Sequence, residues 1–169
     1  MQASARLAPE ASAVFRLYDI STPLRQAHFL AQVGHESWGF KFCEEIASGA
    51  AYEGRRDLGN TEPGDGMRFK GRGWIQLTGR TNYKAYSDFK GINFVVAPQR
   101  VATEFAGDVA GWYWHTRKLN AEADEDDLLT ITKRINGGLN GIDDRRRRLA
   151  KAKLALEISK APKNGGIIK

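Results

Sequence analysis

The sequence predicts a mainly α-helical chain folded as one domain, and three observations carry that reading. The first is length: 169 residues suffice for one well-filled core and are too few for two independent ones, although two lobes of one domain around a groove would fit. The second is a start signal, Ser21-Thr22-Pro23, in which a hydroxyl cap precedes a proline at the first helical position. It opens a stripe of Leu24, Ala27, Ala31 and Gly34, widened by Leu30 and Val33, at helical spacing. The third is an aromatic run, Phe105, Trp112, Tyr113 and Trp114, within a helical pattern from Glu104 to Lys118.

Taken in order, Pro9 to Tyr18 places Ala13, Val14, Leu17 and Tyr18 in a weak helical pattern. The helix from Pro23 is expected to be buried and to end near Ser37 to Gly39, which puts His35 and Glu36 in its last turn. The negative end of a helix and an apolar lining both favour a protonated carboxyl, the form a general acid needs. A surface Glu closing a helix is the plainer alternative. Glu45 follows nine positions later. On one uninterrupted helix that spacing means about 900° of rotation and ~13.5 Å of rise, so Glu36 and Glu45 face each other only if the chain turns between them. Gly39 is placed to make the turn. Glu44 and Glu53 are competing carboxylates.

From Ser48 to Asp65, Gly49, Gly54, Gly59, Asn60, Pro63 and Gly64 read as a long functional loop. Phe69 to Thr78 reads as extended, with Gly71 and Gly73 admitting a ligand or another backbone. Alternation turns Trp74, Gln76 and Thr78 one way and Ile75 and Leu77 the other, into the core. Thr78 is expected to cap the next helix with Asn82 one turn above it. Gln76, Thr78 and Asn82 then converge as neutral hydrogen-bonding groups, the kind that hold a water or a sugar hydroxyl. The alternative is Thr78 as a cap only and Asn82 as a solvated residue.

Most of the aromatic run is expected in the core, with one Trp left as a sugar-stacking platform. Asp124-Glu125-Asp126-Asp127, just before Leu128-Leu129-Thr130-Ile131, marks an acidic helix start rather than a metal site. That helix stops at Asn136-Gly137-Gly138, where Asn136 either caps or reaches a sugar. Asp143 to Ser159 is the last helix, and Ala161 to Lys169 a flexible tail.

The net charge of +6 is unevenly placed. Gly141 to Lys169 holds nine Lys and Arg residues against Asp143, Asp144 and Glu157, leaving the rest of the chain balanced. A basic end suits a polyanionic partner, either nucleic acid or an anionic bacterial envelope. The Arg145 to Arg148 run reads as a solvated helix face more readily than as a nucleic-acid site. Cys43 is the single cysteine, so no internal disulfide forms, and it reads as a small buried hydrophobe before a nucleophile. Arg6, Glu10 and Arg16 interrupt any apolar segment of a secretory signal, and the chain is expected to start in a cytoplasm. His28, His35 and His115 lack the paired spacing of a zinc site, so no metal or cofactor is expected.

The block from Val33 to Asn82 resembles glycoside hydrolase family 19, the chitinase-like family, and its phage endolysin branch in particular. The residues that carry the resemblance are Gly34-His35-Glu36-Ser37, Glu45, Tyr52-Glu53-Gly54-Arg55, Leu58-Gly59-Asn60-Thr61, Pro63-Gly64-Asp65-Gly66, Gly71-Arg72-Gly73-Trp74-Ile75-Gln76-Leu77-Thr78-Gly79 and Asn82-Tyr83. A second match runs through Ile135-Asn136-Gly137-Gly138 and Gly141-Ile142-Asp143-Asp144-Arg145, and the likeness covers about Thr22 to Lys153. It implies a lysozyme-like fold with two lobes around a substrate groove. Glu36 would be the general acid, Glu45 the base that activates water, with Glu53 as the alternative base, and Thr78 the residue that positions the water. His35, Gln76, Asn82, Tyr83 and Asn136 would bind substrate, and Arg145 would organise the acid. Where the plant members carry an acidic residue four positions after the Asn of Asn-Gly-Gly, this chain has Asn140.

The resemblance implies inversion, which needs carboxyls roughly 6.5 to 9.5 Å apart. The expected enzyme is a monomeric endolysin that cuts the glycan strands of bacterial peptidoglycan and lyses the host. It would be held in the host cytoplasm until a membrane pore releases it to the periplasm and wall. A chitinase acting on N-acetylglucosamine polymers and a lytic transglycosylase are the alternatives.

Overall fold

The computed structural model describes residues 2–158, with side chains from Leu7 onward; the expected tail and the last helix's end at Ser159 lie outside the described residues. Among these the helices are α1 Gln2–Leu17, α2 Pro23–Glu36, α3 Asp65–Arg68, α4 Arg80–Lys90, α5 Arg100–Thr103, α6 Ala106–Thr116, α7 Leu119–Asp124, α8 Leu128–Asn136 and α9 Ile142–Ala155. Two 3-10 turns, Ala50–Tyr52 and Arg56–Leu58, interrupt the long loop. No helix among the described residues is long and apolar enough to cross a membrane.

Local chemistry sets the helix ends. Thr22 Oγ1 accepts a hydrogen bond from Arg25 N (3.2 Å) beside Pro23, so α2 starts where its hydroxyl-proline signal lies. Asp127 caps α8 by accepting from Thr130 N (2.9 Å), and Gly137 closes it in the left-handed conformation. Asp124 and its neighbours close α7 before Asp127 opens α8. The helix expected over Glu104 to Lys118 is α6, two residues shorter at each end, with the short α5 before it and Glu104 and Phe105 between them.

Apolar burial falls into two clusters. The large one gathers Val14, Phe29, Val33, Trp74, Tyr83, Tyr86, Trp112 and Trp114 among others. The small one is Ala27, Ala31, Leu128 and Leu149. Helix α2 is the wall between them: Phe29 and Val33 face one cluster, and Ala27 and Ala31 the other. Its alanine side lets it lie along α9, and that pair is the most extensive helix contact among the described residues. Fully burying a side chain such as Phe29 stabilises the fold by about 2–3 kcal/mol, so α2 is among the best-anchored elements.

The extended reading of Phe69 to Thr78 is overturned. Arg72 N donates to Leu77 O (3.1 Å) and Leu77 N to Arg72 O (2.8 Å), which closes Gly73 to Gln76 into a tight turn. Gln76 itself is left-handed, with φ of 54°. Alternation does not survive a turn, and Trp74, Ile75 and Leu77 are all buried. Thr78 is likewise not the cap of α4; Gly79 holds that position.

Candidate active site

The Glu36 side of the site is built where α2 ends against α9. Glu36 Oε1 accepts a hydrogen bond from Arg145 Nη2 at 2.5 Å. Arg145 is buried, and its Nε donates to the Asn140 carbonyl (3.2 Å) while Nη1 donates to Gln32 Oε1. The Arg145 guanidinium therefore lies against Glu36, as the resemblance implied, where the helix pattern alone suggested an apolar lining. Tyr113 is close enough that the Glu36 charge helps to hold its phenol protonated, after the larger effect of burial. Tyr113 Oη donates to the Ile135 carbonyl (3.1 Å), and the Arg117 guanidinium lies 3.4 Å from its ring centre.

His35 is fixed by the same helix pair. Its Nδ1 lies 2.8 Å from Asp144 Oδ2, which also accepts from Arg148 Nε at 2.6 Å. These two partners hold the Asp144 carboxyl well below the usual carboxylate range, Arg148 first. The His35 ring lies over Gly141, which ties the His35-Glu36 turn to the loop after α8. Asn136 bridges that loop: its Oδ1 accepts from Gly138 N (2.8 Å) and its Nδ2 donates to the Asn140 carbonyl (3.1 Å).

Between the two carboxylates the chain makes the expected turn, by a stronger device than one glycine. Trp38, Gly39 and Phe40 are left-handed in succession, with φ of 53°, 74° and 63°. For Trp and Phe that conformation costs about 1–2 kcal/mol each, offset in part where Phe40 packs edge-on against Trp74 at 5.1 Å. Trp112 and Trp114 are both core, so neither is a platform; the exposed tryptophan is Trp38, at 75%.

On the other side is a cradle around Glu45. Glu45 N donates to the Gly71 carbonyl (2.9 Å), and Gly71 N returns a hydrogen bond to Glu45 Oε2 (3.1 Å). Tyr52 Oη donates to Oε1 (3.0 Å), and burial followed by the nearby Glu45 pushes the Tyr52 phenol up. A Cβ at residue 71 would stand 2.8 Å from Gln76 Oε1 and 3.3 Å from Glu45 Oε2, so Gln76 and Glu45 converge over a position that must lack a side chain. Thr78 Oγ1 donates to the Gln76 carbonyl (2.9 Å) and Asn82 Nδ2 to the Thr78 carbonyl (2.7 Å). The three neutral residues are thus linked one to the next through main-chain carbonyls.

The rival carboxylates are otherwise engaged. Glu53 Oε1 and Oε2 accept from Gly64 N (2.7 Å) and Gly66 N (2.8 Å), stapling the long loop. Glu44 takes Arg72 Nη2 at 3.0 Å. Tyr83 is fully buried, its hydroxyl donating to the Lys70 carbonyl (2.9 Å) and accepting from Arg72 Nη1 (3.1 Å). It supports the cradle from behind and does not reach substrate. Gln32, Tyr52 and Asp144 were not picked out as site residues by sequence reasoning. Tyr52 and Asp144 lay within the recognised motifs, while Gln32 gave no local signal.

The sequence matches the family model described as chitinase class I over residues 20–137. A glycosyl hydrolase family 19 domain-containing protein of Haemophilus influenzae is 34% identical over 155 residues, covering 72% of this chain and 75% of that protein. An endochitinase of Arabidopsis thaliana is 35% identical over 116 residues, of which this chain spans only 39% of the plant protein's length. Among solved structures, chitinase C from Streptomyces griseus superposes with a TM-score of 0.74 at 24% identity, over 90% of this chain and 83% of that one. The class IV chitinase from Zea mays gives 0.71 at 22% identity, over 90% and 81%. The fold is thus the mainly α, lysozyme-like one that the motifs implied. With its motifs in order, the family model matched over residues 20–137 and a family 19 relative 34% identical, the chain belongs to glycoside hydrolase family 19 and is a chitinase-like glycosidase.

Proposed function

We propose that this glycosidase hydrolyses the glycan strands of bacterial peptidoglycan with inversion, as an endolysin does. The observation that carries the mechanism is that its two carboxyls are held differently. Arg145 occupies Glu36 Oε1, so a proton on Glu36 resides on Oε2. Glu45 meets two neutral donors, Tyr52 Oη and Gly71 N, which suit a carboxylate acting as base. Glu36 donates its proton to the glycosidic oxygen as the bond to the anomeric carbon breaks. A water between Glu45 and Thr78 attacks from the opposite face and gives its proton to Glu45. Solvent then restores both protonation states.

Charge supports peptidoglycan over chitin. Chitin is neutral, whereas peptidoglycan carries carboxylates on its peptide stems, and this chain is basic with Arg146 and Arg147 exposed on α9. The same face would engage an anionic envelope once a membrane pore releases the enzyme from the host cytoplasm. Chitin is the second reading, favoured by the endochitinase names of the plant relatives. Mass spectrometry of fragments from purified Gram-negative peptidoglycan tests both. New reducing ends with one added water support the proposal; anhydro ends would mean a transglycosylase. No cleavage, with activity on N-acetylglucosamine oligomers, would keep the chemistry and change the substrate.

A further inference from the structure

We propose that Gln32 is a positioning residue that decides which oxygen of Glu36 carries the transferred proton; the proposal rests on the acid role given to Glu36 above. Gln32 and Glu36 are four residues apart on α2 and so share one face. The Arg145 guanidinium spans both, with Nη1 on Gln32 Oε1 and Nη2 on Glu36 Oε1. Behind them, Gln32 Nε2 donates to Thr132 Oγ1 (3.1 Å) on α8. Gln32 and Thr132 are 0% exposed and Arg145 is 1% exposed, so water does not substitute for any of these bonds.

The direction of this chain is fixed by its charged member. A guanidinium has only donors, so Gln32 must present its carbonyl oxygen to Arg145 and its amide nitrogen to Thr132. Flipping the amide would set N–H against N–H in a dry interior, at a cost of about 1–3 kcal/mol. With Nε also bonded to the Asn140 carbonyl, all three edges of the guanidinium are fixed. Its plane then selects Glu36 Oε1, and the proton is left to Oε2.

The neutrality of Gln32 matters as much as its shape. Of the two side chains that Arg145 grips, only Glu36 ionises. The other charged or titratable groups around Glu36 are His35 on α2, Tyr113 on α6 and Arg117 just past its end, and Asp144 and Arg148 on α9, and Asp144 is already paired with Arg148 and His35. A carboxylate at position 32 would divide the guanidinium between two acids.

The test is kinetic. Gln32→Glu keeps the side-chain shape, and the Thr132 hydroxyl can turn to donate to it, so the fold is expected to survive. The alkaline limb of kcat/KM against pH is expected to move up by ~0.5 to 1 pH unit, with KM changed less than about twofold. Gln32→Met keeps the volume and removes the acceptor; kcat is expected to fall roughly tenfold or more, a loss of about 1.4 kcal/mol in barrier terms, at nearly unchanged KM. If Gln32→Met does not fold, the pH profile of Gln32→Glu decides alone. An unmoved limb in Gln32→Glu overturns the proposal, as does wild-type kcat in a folded Gln32→Met. Glu36→Gln is measured alongside: residual turnover there would sink the acid role itself, whereas a dead Glu36→Gln with an unmoved limb in Gln32→Glu sinks only the role of Gln32.

Discussion

Two glycines flank the short loop between α8 and α9, and they make a matched experiment. Gly137 and Gly141 are both left-handed, with φ of 76° and 70°. Replacing either with Ala imposes about 1–2 kcal/mol of backbone strain, which lowers the melting temperature of a chain this size by roughly 2–8 °C. Beyond the backbone the two positions differ. A Cβ at Gly137 meets nothing within 4 Å, whereas one at Gly141 would lie 2.2 Å from His35 Cε1 and 2.3 Å from Nε2. The ring must leave, giving up its 2.8 Å contact with Asp144, a further ~1 kcal/mol and roughly 2–4 °C. Gly141→Ala is therefore expected to melt below Gly137→Ala. It is also expected to lose most glycan hydrolysis, because His35 and Glu36 share one helical turn. Thermal melts and fragment release from purified peptidoglycan measure both. Equal melting losses with equal activities would refute the idea that the His35 ring holds this turn in place.

Other outcomes follow from the same geometry. Glu36→Gln is expected to fold normally with turnover below a few per cent of wild type; more than that ends its role as acid. Glu45→Gln should damage catalysis far more than Glu53→Gln, which should instead loosen the Gly64 to Gly66 loop and lower the melting temperature; the reverse ranking of activities would transfer the base role to Glu53. His28 supplies a pH test. It is fully buried with Nε2 2.6 Å from Asp126 Oδ1, Lys153 Nζ contacts the same carboxylate, and Nδ1 has no partner among the described residues. Burial outweighs Asp126 and lowers the His28 pKa, so below about pH 6.5 the unfolded chain takes up a proton that the folded chain resists. Stability is expected to fall with pH from that point by up to ~1.4 kcal/mol per unit, and a His28→Gln protein to lose less between pH 7.5 and 5.5; parallel losses would count against the assignment.

What could be read from the sequence was local. Thr22-Pro23 announces α2, and Asp127 with Thr130 announces α8, because caps are contacts over three or four residues. The convergence of Gln76, Thr78 and Asn82 was also legible, though for a mistaken reason: the residues meet through a tight turn and two carbonyl bonds, not along a strand. Left-handed Gln76 gave no warning in its side-chain type, so the alternation of Trp74, Ile75 and Leu77 was read through a reversal of the chain. The family resemblance, which includes Asn82-Tyr83, implied that Tyr83 binds substrate, yet on α4 adjacent residues face different ways, and it points into the core. Gln32 was hidden more deeply. Its meaning depends on Arg145 and Thr132, over a hundred and about a hundred positions away, and no window on the sequence contains all three.

That distance has a consequence for how such a chain is made. Glu36 emerges early in synthesis, but its guanidinium partner belongs to α9 and arrives 109 positions later. Until α9 docks along α2, the His-Glu turn has neither Arg145 nor Asp144 to hold it. The Glu36 side of the site is thus completed by the last of the described helices in chain order. A chain interrupted before Ile142 would carry Glu36 and Glu45 without Arg145 and Asp144, so an unfinished copy lacks the contacts that fix the His35-Glu36 turn.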